Sequence, residues 1–206
     1  MDETGARIQY QVMKKSGQES LRINGCDIDV TILDFWRWAM SDLVSNAPRG
    51  VLAEFIVAYA LGLTDGVRNP WGAYDLETST GIKIEVKSAS YLQFWNQNNL
   101  SKIIFPIKAS RTWNHDTGVT ILSVESCRQA DVYVFCVLSH KDKNTINPLD
   151  IDQWMFYVIS TSFINDKYPK HKTIGLSSLI KIGAERANIK NLSRVINELF
   201  RNNNPI

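Results

Sequence analysis

Cysteine is scarce in this chain: Cys26, Cys127 and Cys136 are the three in 206 residues, and no two form a C-x-x-C pair. An odd, dispersed set argues against a disulfide framework and against a structural zinc site, and fits a reducing compartment. Histidine is equally sparse, and His115, His140 and His171 make no H-x₃-H spacing. Charge of one sign is lacking too. Lys and Arg total 23 against 21 Asp and Glu, for a net charge of +2. The sequence pI of about 8.4 is short of the value above roughly 9 that marks a strongly basic nucleic-acid binder. No G-x-x-x-x-G-K-[ST] run is present, which leaves no visible ATPase motif. The longest apolar run, Val51 to Leu63, is broken by Glu54 and is too short to span a bilayer. The opening Met1-Asp2-Glu3-Thr4 does not read as a signal peptide. The expectation is a cytoplasmic protein with no membrane partner. There are no internal repeats or low-complexity tracts.

What is present is ordinary for a globular chain: 44% apolar residues, 21% charged and six tryptophans. The length suits one domain over 1–206, with a core at about 48–160 and elaborations at 1–45 and 161–206. Asn24-Gly25 between alternating residues predicts a hairpin within Leu21 to Leu33. Asp34 is expected to cap a helix starting at Phe35. A second helix is expected from Arg49 to Leu61, with Ser45 or Asn46 as cap, Pro48 in the first turn and Gly62 as the stop. Strands follow around 73–77 and 82–88, then a helix or loop over 88–100 and a short strand at 103–107. The apolar runs Ala130 to Leu138 and Trp154 to Ser160 read as core strands. Short helices are expected at 176–182 and 192–200. The order predicts a mixed α/β domain and leaves the strand order open.

The residues that carry chemistry are few. In Ile82-Lys83-Ile84-Glu85-Val86-Lys87 the apolar residues face one way and Lys83, Glu85 and Lys87 the other. Asp75 precedes them at a hairpin's distance. Two acids and a lysine meeting at one point suit a divalent cation and a phosphate. Magnesium takes oxygen ligands, commonly one or two carboxylates, and leaves room for water and phosphate oxygens. A lysine adds positive charge where a phosphorane accumulates negative charge, so Lys87 is assigned electrostatic help rather than a neutral-base role. Glu54 falls on the apolar stripe Val51, Ala58 and Leu61 of the second helix, where a carboxylate is costly without a partner. Its alternatives are a stripe-edge residue reaching solvent or a salt bridge to an arginine. Glu77 is a rival to Asp75. The bland reading of Glu85 and Lys87 is the wet face of an edge strand.

Asp75, nine intervening residues, and then Glu85-Val86-Lys87, after a helix bearing Glu54, resemble the PD-(D/E)xK, or restriction-endonuclease-like, nuclease superfamily over about residues 48–138. Tyr74 stands where the motif's proline would be. The resemblance implies an α/β fold with a restriction-endonuclease-like mixed central β-sheet flanked by α-helices. It implies that Asp75 and Glu85 bind Mg²⁺ (with Mn²⁺ as substitute), that Glu54 supplies the helix-borne acid of the metal site, and that Lys87 assists phosphodiester hydrolysis. Gln93 becomes a candidate for contacting phosphate or positioning water, with an ordinary surface amide as the alternative. The implied activity is that of a Mg²⁺-dependent DNA endonuclease, of restriction or defence type and by analogy a homodimer on two-fold DNA. The alternative is a catalytically silent module of the same fold that binds nucleic acid or a partner.

Other residues keep open readings. Tyr91, Phe94 and Trp95 fill the core or stack on bases. Lys102, Lys108 and Arg111, near Trp113, Asn114 and His115, touch the phosphate backbone or are solvated, and His115 is a distant candidate base. Arg128 pairs with Glu125 or reaches the site. Arg186, Lys190, Arg194 and Arg201 form a solvated face or track DNA.

Overall fold

The structure is a computed structural model that describes residues 12–111, 113–114, 119–120 and 126–203. His115 and Glu125 lie outside the described residues. Backbone proximity divides the chain into two units, one of Met1–Ser41 with Asp65–Arg68, the other of Asp42–Thr64 with Asn69–Ile206.

In the first unit, β1 (Ser20–Ile23) and β2 (Cys26–Thr31) pair antiparallel. The hairpin turns at Asn24 and Gly25, whose φ angles are 50° and 80°. Both residues tolerate that left-handed conformation, which matches the twist of the flanking strands. Helix α1 (Ile32–Met40) corrects the expected cap. Thr31 caps it, and Asp34 sits three residues in, where its carboxylate accepts from Thr31 N–H at 2.8 Å. This reciprocal pair satisfies two donors that the first turn would otherwise leave open.

The second unit opens with α2 (Asn46–Leu61), which starts three residues before Arg49. Gly62 ends it in a left-handed conformation, φ 70°, donating its N–H to the carbonyls of Ala58 and Tyr59. Then come β3 (Leu76–Glu77), β4 (Lys83–Ser90), β5 (Ile104–Pro106), β6 (Trp113–Asn114), β7 (Val119–Thr120), β8 (Val132–Leu138) and β9 (Trp154–Ser160). The chain closes with α3 (Thr161–Lys167), β10 (Thr173–Gly175), α4 (Leu176–Lys181), β11 (Glu185–Ala187) and α5 (Leu192–Asn203). β6 and β7 pair with each other, as do β5 and β10.

The fold is mixed α/β, as expected. Its central sheet has five strands in the order β11-β9-β8-β4-β3. β4 and β8 run parallel, in register from Ile84–Val132 to Ser90–Leu138, and the other pairs are antiparallel. The strand expected around 73–77 shrinks to two residues. Residues 91–100 are irregular and form no helix.

Two apolar layers cover the sheet. Ile84, Val86, Val132, Val134, Cys136, Phe156 and Val158 pack with Ala53, Ile56 and Val57 of α2 and with Val195 and Ile196 of α5. Ala89, Tyr133, Phe135, Val137 and Ile159 pack on the other side with Phe105, Ile107, Ile164 and Leu179. Strand side chains alternate, so Glu85 and Lys87 share the second face with Tyr133 and Phe135, opposite the α2 face. This layering puts the charged residues of β4 beside a dry core and does not leave them on a wet outer strand.

Candidate active site

The site forms where β3 leaves β4. Leu76 pairs with Ile84 and Glu77 with Lys83. One residue earlier, the backbone N–H of Asp75 still donates to Ile84 O at 3.0 Å. The next ladder bond is made by a side chain: Asp75 Oδ2 accepts from Val86 N–H at 2.7 Å. A carboxylate thus stands in for the strand and satisfies a donor that would otherwise be left open at the strand edge. It also holds Asp75 at the level of Glu85.

Glu85 and Lys87 are adjacent on the same face of β4 and form an ion pair. Their side chains are 19% and 25% exposed, so neither is a freely solvated strand-face charge. Asp75 feels the whole set. Burial first, then the charges of Glu85 and, more weakly, Glu54, raise its pKa from 3.8 to about 6, while Lys87 and the Val86 N–H oppose the rise. Glu54, half-buried on α2, therefore belongs to the same electrostatic neighbourhood.

Of the expected residues, Glu85 and Lys87 form an ion pair and Asp75 lies within the field of both, whereas Glu54 on α2 reaches Asp75 only as the weakest of these charges. Gln93 takes a separate place. It lies beyond the end of β4, is buried, and donates from Nε2 to Ser90 O at 2.9 Å. Its Oε1 is sealed without a hydrogen-bond partner, and it makes no hydrogen bond to the acids or to Lys87. Glu77 is removed as a rival, because its carboxylate is exposed and accepts from the Tyr74 hydroxyl.

Other expectations are corrected by the packing. Arg128 does not hydrogen-bond to the site acids, and its expected pairing with Glu125 lies outside the described residues. It is buried, donating to the Ile107, Tyr168 and His171 carbonyls and to Asn165 Oδ1 at 2.6–3.2 Å, where it staples three segments. Phe94 and Trp95, left between core packing and base stacking, are outside the core, 58% and 46% exposed, and meet edge to face. Lys102, Lys108 and Arg111 are exposed.

One neighbour was missed. Tyr133 pairs in register with Glu85 on the adjacent strand. Burial, then the charges of Glu85 and Asp75, push its phenol pKa well up, with Arg128 opposing. The signal was a hydroxyl inside an otherwise apolar strand sequence.

A family model described as bacteriophage T4 endonuclease IV matches residues 28–178, well over half of the chain. The chain belongs to the bacteriophage T4 endonuclease IV family. No curated protein matches it. The match to this endonuclease family covers Glu54, Asp75, Glu85, Lys87 and Gln93. No helix among the described residues is long and apolar enough to cross a membrane.

The donor chemistry fits a hard divalent cation. Every candidate ligand is a carboxylate oxygen, and Asp75 is a half-buried acid whose charge is opposed by two others. A cation there would relieve that repulsion and bring the raised Asp75 pKa back down. Among the described residues no three His, Cys, Asp or Glu side chains converge on one ion position. Magnesium asks for less, since one or two carboxylates with water and phosphate oxygens suffice.

Proposed function

We propose that this protein is a Mg²⁺-dependent DNA endonuclease of the PD-(D/E)xK type, with Mn²⁺ as a substitute ion. The observation that carries the reading is the half-buried Asp75 carboxylate, held on the Val86 N–H beside Glu85 and within the field of Glu54. Membership in an endonuclease family supports the same class of reaction.

In this reading Asp75 and Glu85 hold the ion, and Glu54 accepts from water around it. When bound, the ion supplies Lewis-acid stabilisation of the phosphate and a more acidic water. The Val86 N–H orients Asp75 so that its second oxygen is free for the ion. Lys87, paired with Glu85 in the absence of substrate, swings its ammonium to a non-bridging phosphate oxygen, where negative charge builds during attack. Carboxylates and lysine then exchange partners without any charge being left alone in a half-buried site.

The test is cleavage of plasmid, linear duplex, single-stranded DNA and RNA with Mg²⁺, Mn²⁺ or EDTA, comparing wild type with Lys87→Ala. Metal-dependent cutting of DNA by the wild type, lost in the variant, is the expected result. Cutting that persists in EDTA or in Lys87→Ala would sink the assignment. DNA binding without turnover under every condition would favour a catalytically silent module.

A further inference from the structure

The ion pair between Lys87 and Glu85 raises a question of partners. If Lys87 moves to the phosphate, Glu85 loses the one hydrogen-bond donor it has among the described residues. A carboxylate in a site four-fifths closed to solvent then needs another donor to keep its orientation.

The adjacent strand provides one. Tyr133 is the register partner of Glu85 in the parallel β4–β8 pair, and register partners on neighbouring strands project to the same face about 4.8 Å apart. The residue is 4% exposed. Its ring is fixed against Phe135, centroids 5.7 Å apart and planes 24° from parallel. The phenol feels the charges of Glu85 and Asp75, with Arg128 opposing them, and Arg128 is already committed to four oxygen acceptors.

We infer that Tyr133 is a positioning residue for Glu85: its phenolic O–H donates to one Glu85 carboxylate oxygen once Lys87 has turned to the phosphate, leaving the other oxygen for the metal. The inference rests on the nuclease reading above. Tyr133 touches neither substrate nor ion. It acts as outer-shell partners of metal-bound carboxylates do, by fixing the direction of a ligand.

The test is Tyr133→Phe, which removes the hydroxyl and keeps the ring. Mn²⁺ binding by the protein alone is followed by titration calorimetry, beside the melting temperature and kcat and KM on plasmid. Mn²⁺ affinity and kcat each fall about tenfold, as for lost outer-shell bonds, while KM and the melting temperature hold. In a Glu85→Gln background the same change leaves Mn²⁺ binding unaltered, because the coupled partner is already gone. Wild-type Mn²⁺ affinity and kcat in Tyr133→Phe, or an equal loss of affinity in both backgrounds, overturns the inference. Asp75→Asn is assayed in parallel. If it cuts like wild type, the nuclease site itself is misassigned; if it is dead while Tyr133→Phe is fully active, only the Tyr133 role fails.

Discussion

The two edges of β4 are built differently. Toward β8 it is paired through seven successive residues, Ile84 to Ser90, against a strand that is buried throughout. Toward β3 it is paired through two, and the ladder is then finished by the Asp75 carboxylate on Val86 N–H. The first edge is a stability device: backbone bonds in a dry core with β-branched and aromatic side chains above and below. The second gives up backbone pairing and gains a fixed, half-buried anion. The same strand therefore carries the core on one side and the candidate chemistry on the other, and substitutions should separate the two.

The largest separation is expected at Asp75. Asp75→Asn keeps a side-chain acceptor for Val86 N–H but removes the charge, so cleavage should fall by about a thousandfold, as when a principal charge-stabilising group is lost. Circular dichroism and melting should show an intact fold; a parallel collapse of both would mean the carboxylate is structural. On the opposite edge, Phe135→Ala should cost about 3–5 kcal/mol of stability by opening a cavity against Phe105. Chemical denaturation reads this directly, and a loss below 1 kcal/mol would mean that the β8 layer is not the core it is taken for.

Next in size is a pH effect. With chelator present, Asp75 holds its proton more tightly folded than unfolded, between its ordinary 3.8 and about 6. The folded form binds the extra proton in that window, so the Asp75 contribution to stability is greatest below it and declines as pH rises through it, by on the order of 3 kcal/mol. Asp75→Asn should be less stable than wild type, relative to its value at pH 7, when both are moved to pH 4. Identical pH dependences in the two proteins would contradict the raised Asp75 pKa. The smallest effect is expected at Glu77, two residues from Asp75 and at the far end of β3. Glu77→Gln should change stability by less than about 0.5 kcal/mol and leave cleavage unaltered; a marked loss of cutting would restore Glu77 as the site acid.

Much of this was legible residue by residue. Asn24-Gly25 names its hairpin because few residues accept positive φ. Gly62 names the end of α2 for the same reason. The alternation around Glu85 and Lys87 gives their shared face, because a strand leaves a side chain only two directions. Other features were hidden. Arg128 reads as a surface cation until its carbonyl acceptors, from Ile107 to His171, are folded around it. Phe94 and Trp95 read as core because aromatics usually are, yet they lie on an irregular segment outside both apolar layers. Thr31 was passed over as a cap because Asp34 satisfies the same local pattern, and the two in fact share it.

By itself the sequence determined the local structure and the chemical types: where the chain turns, which faces are apolar, and that Glu54, Asp75, Glu85 and Lys87 are the residues to watch. These depend on short-range sterics and periodicity, which neighbouring residues specify. Tertiary structure alone decided that β4 lies parallel to β8, that Asp75 closes the ladder from the side, and that Tyr133 stands beside Glu85. The first and last of those relations join segments about fifty residues apart and the second joins residues eleven apart, and they follow from burying two sheet faces at once, a condition that no local stretch of chain expresses.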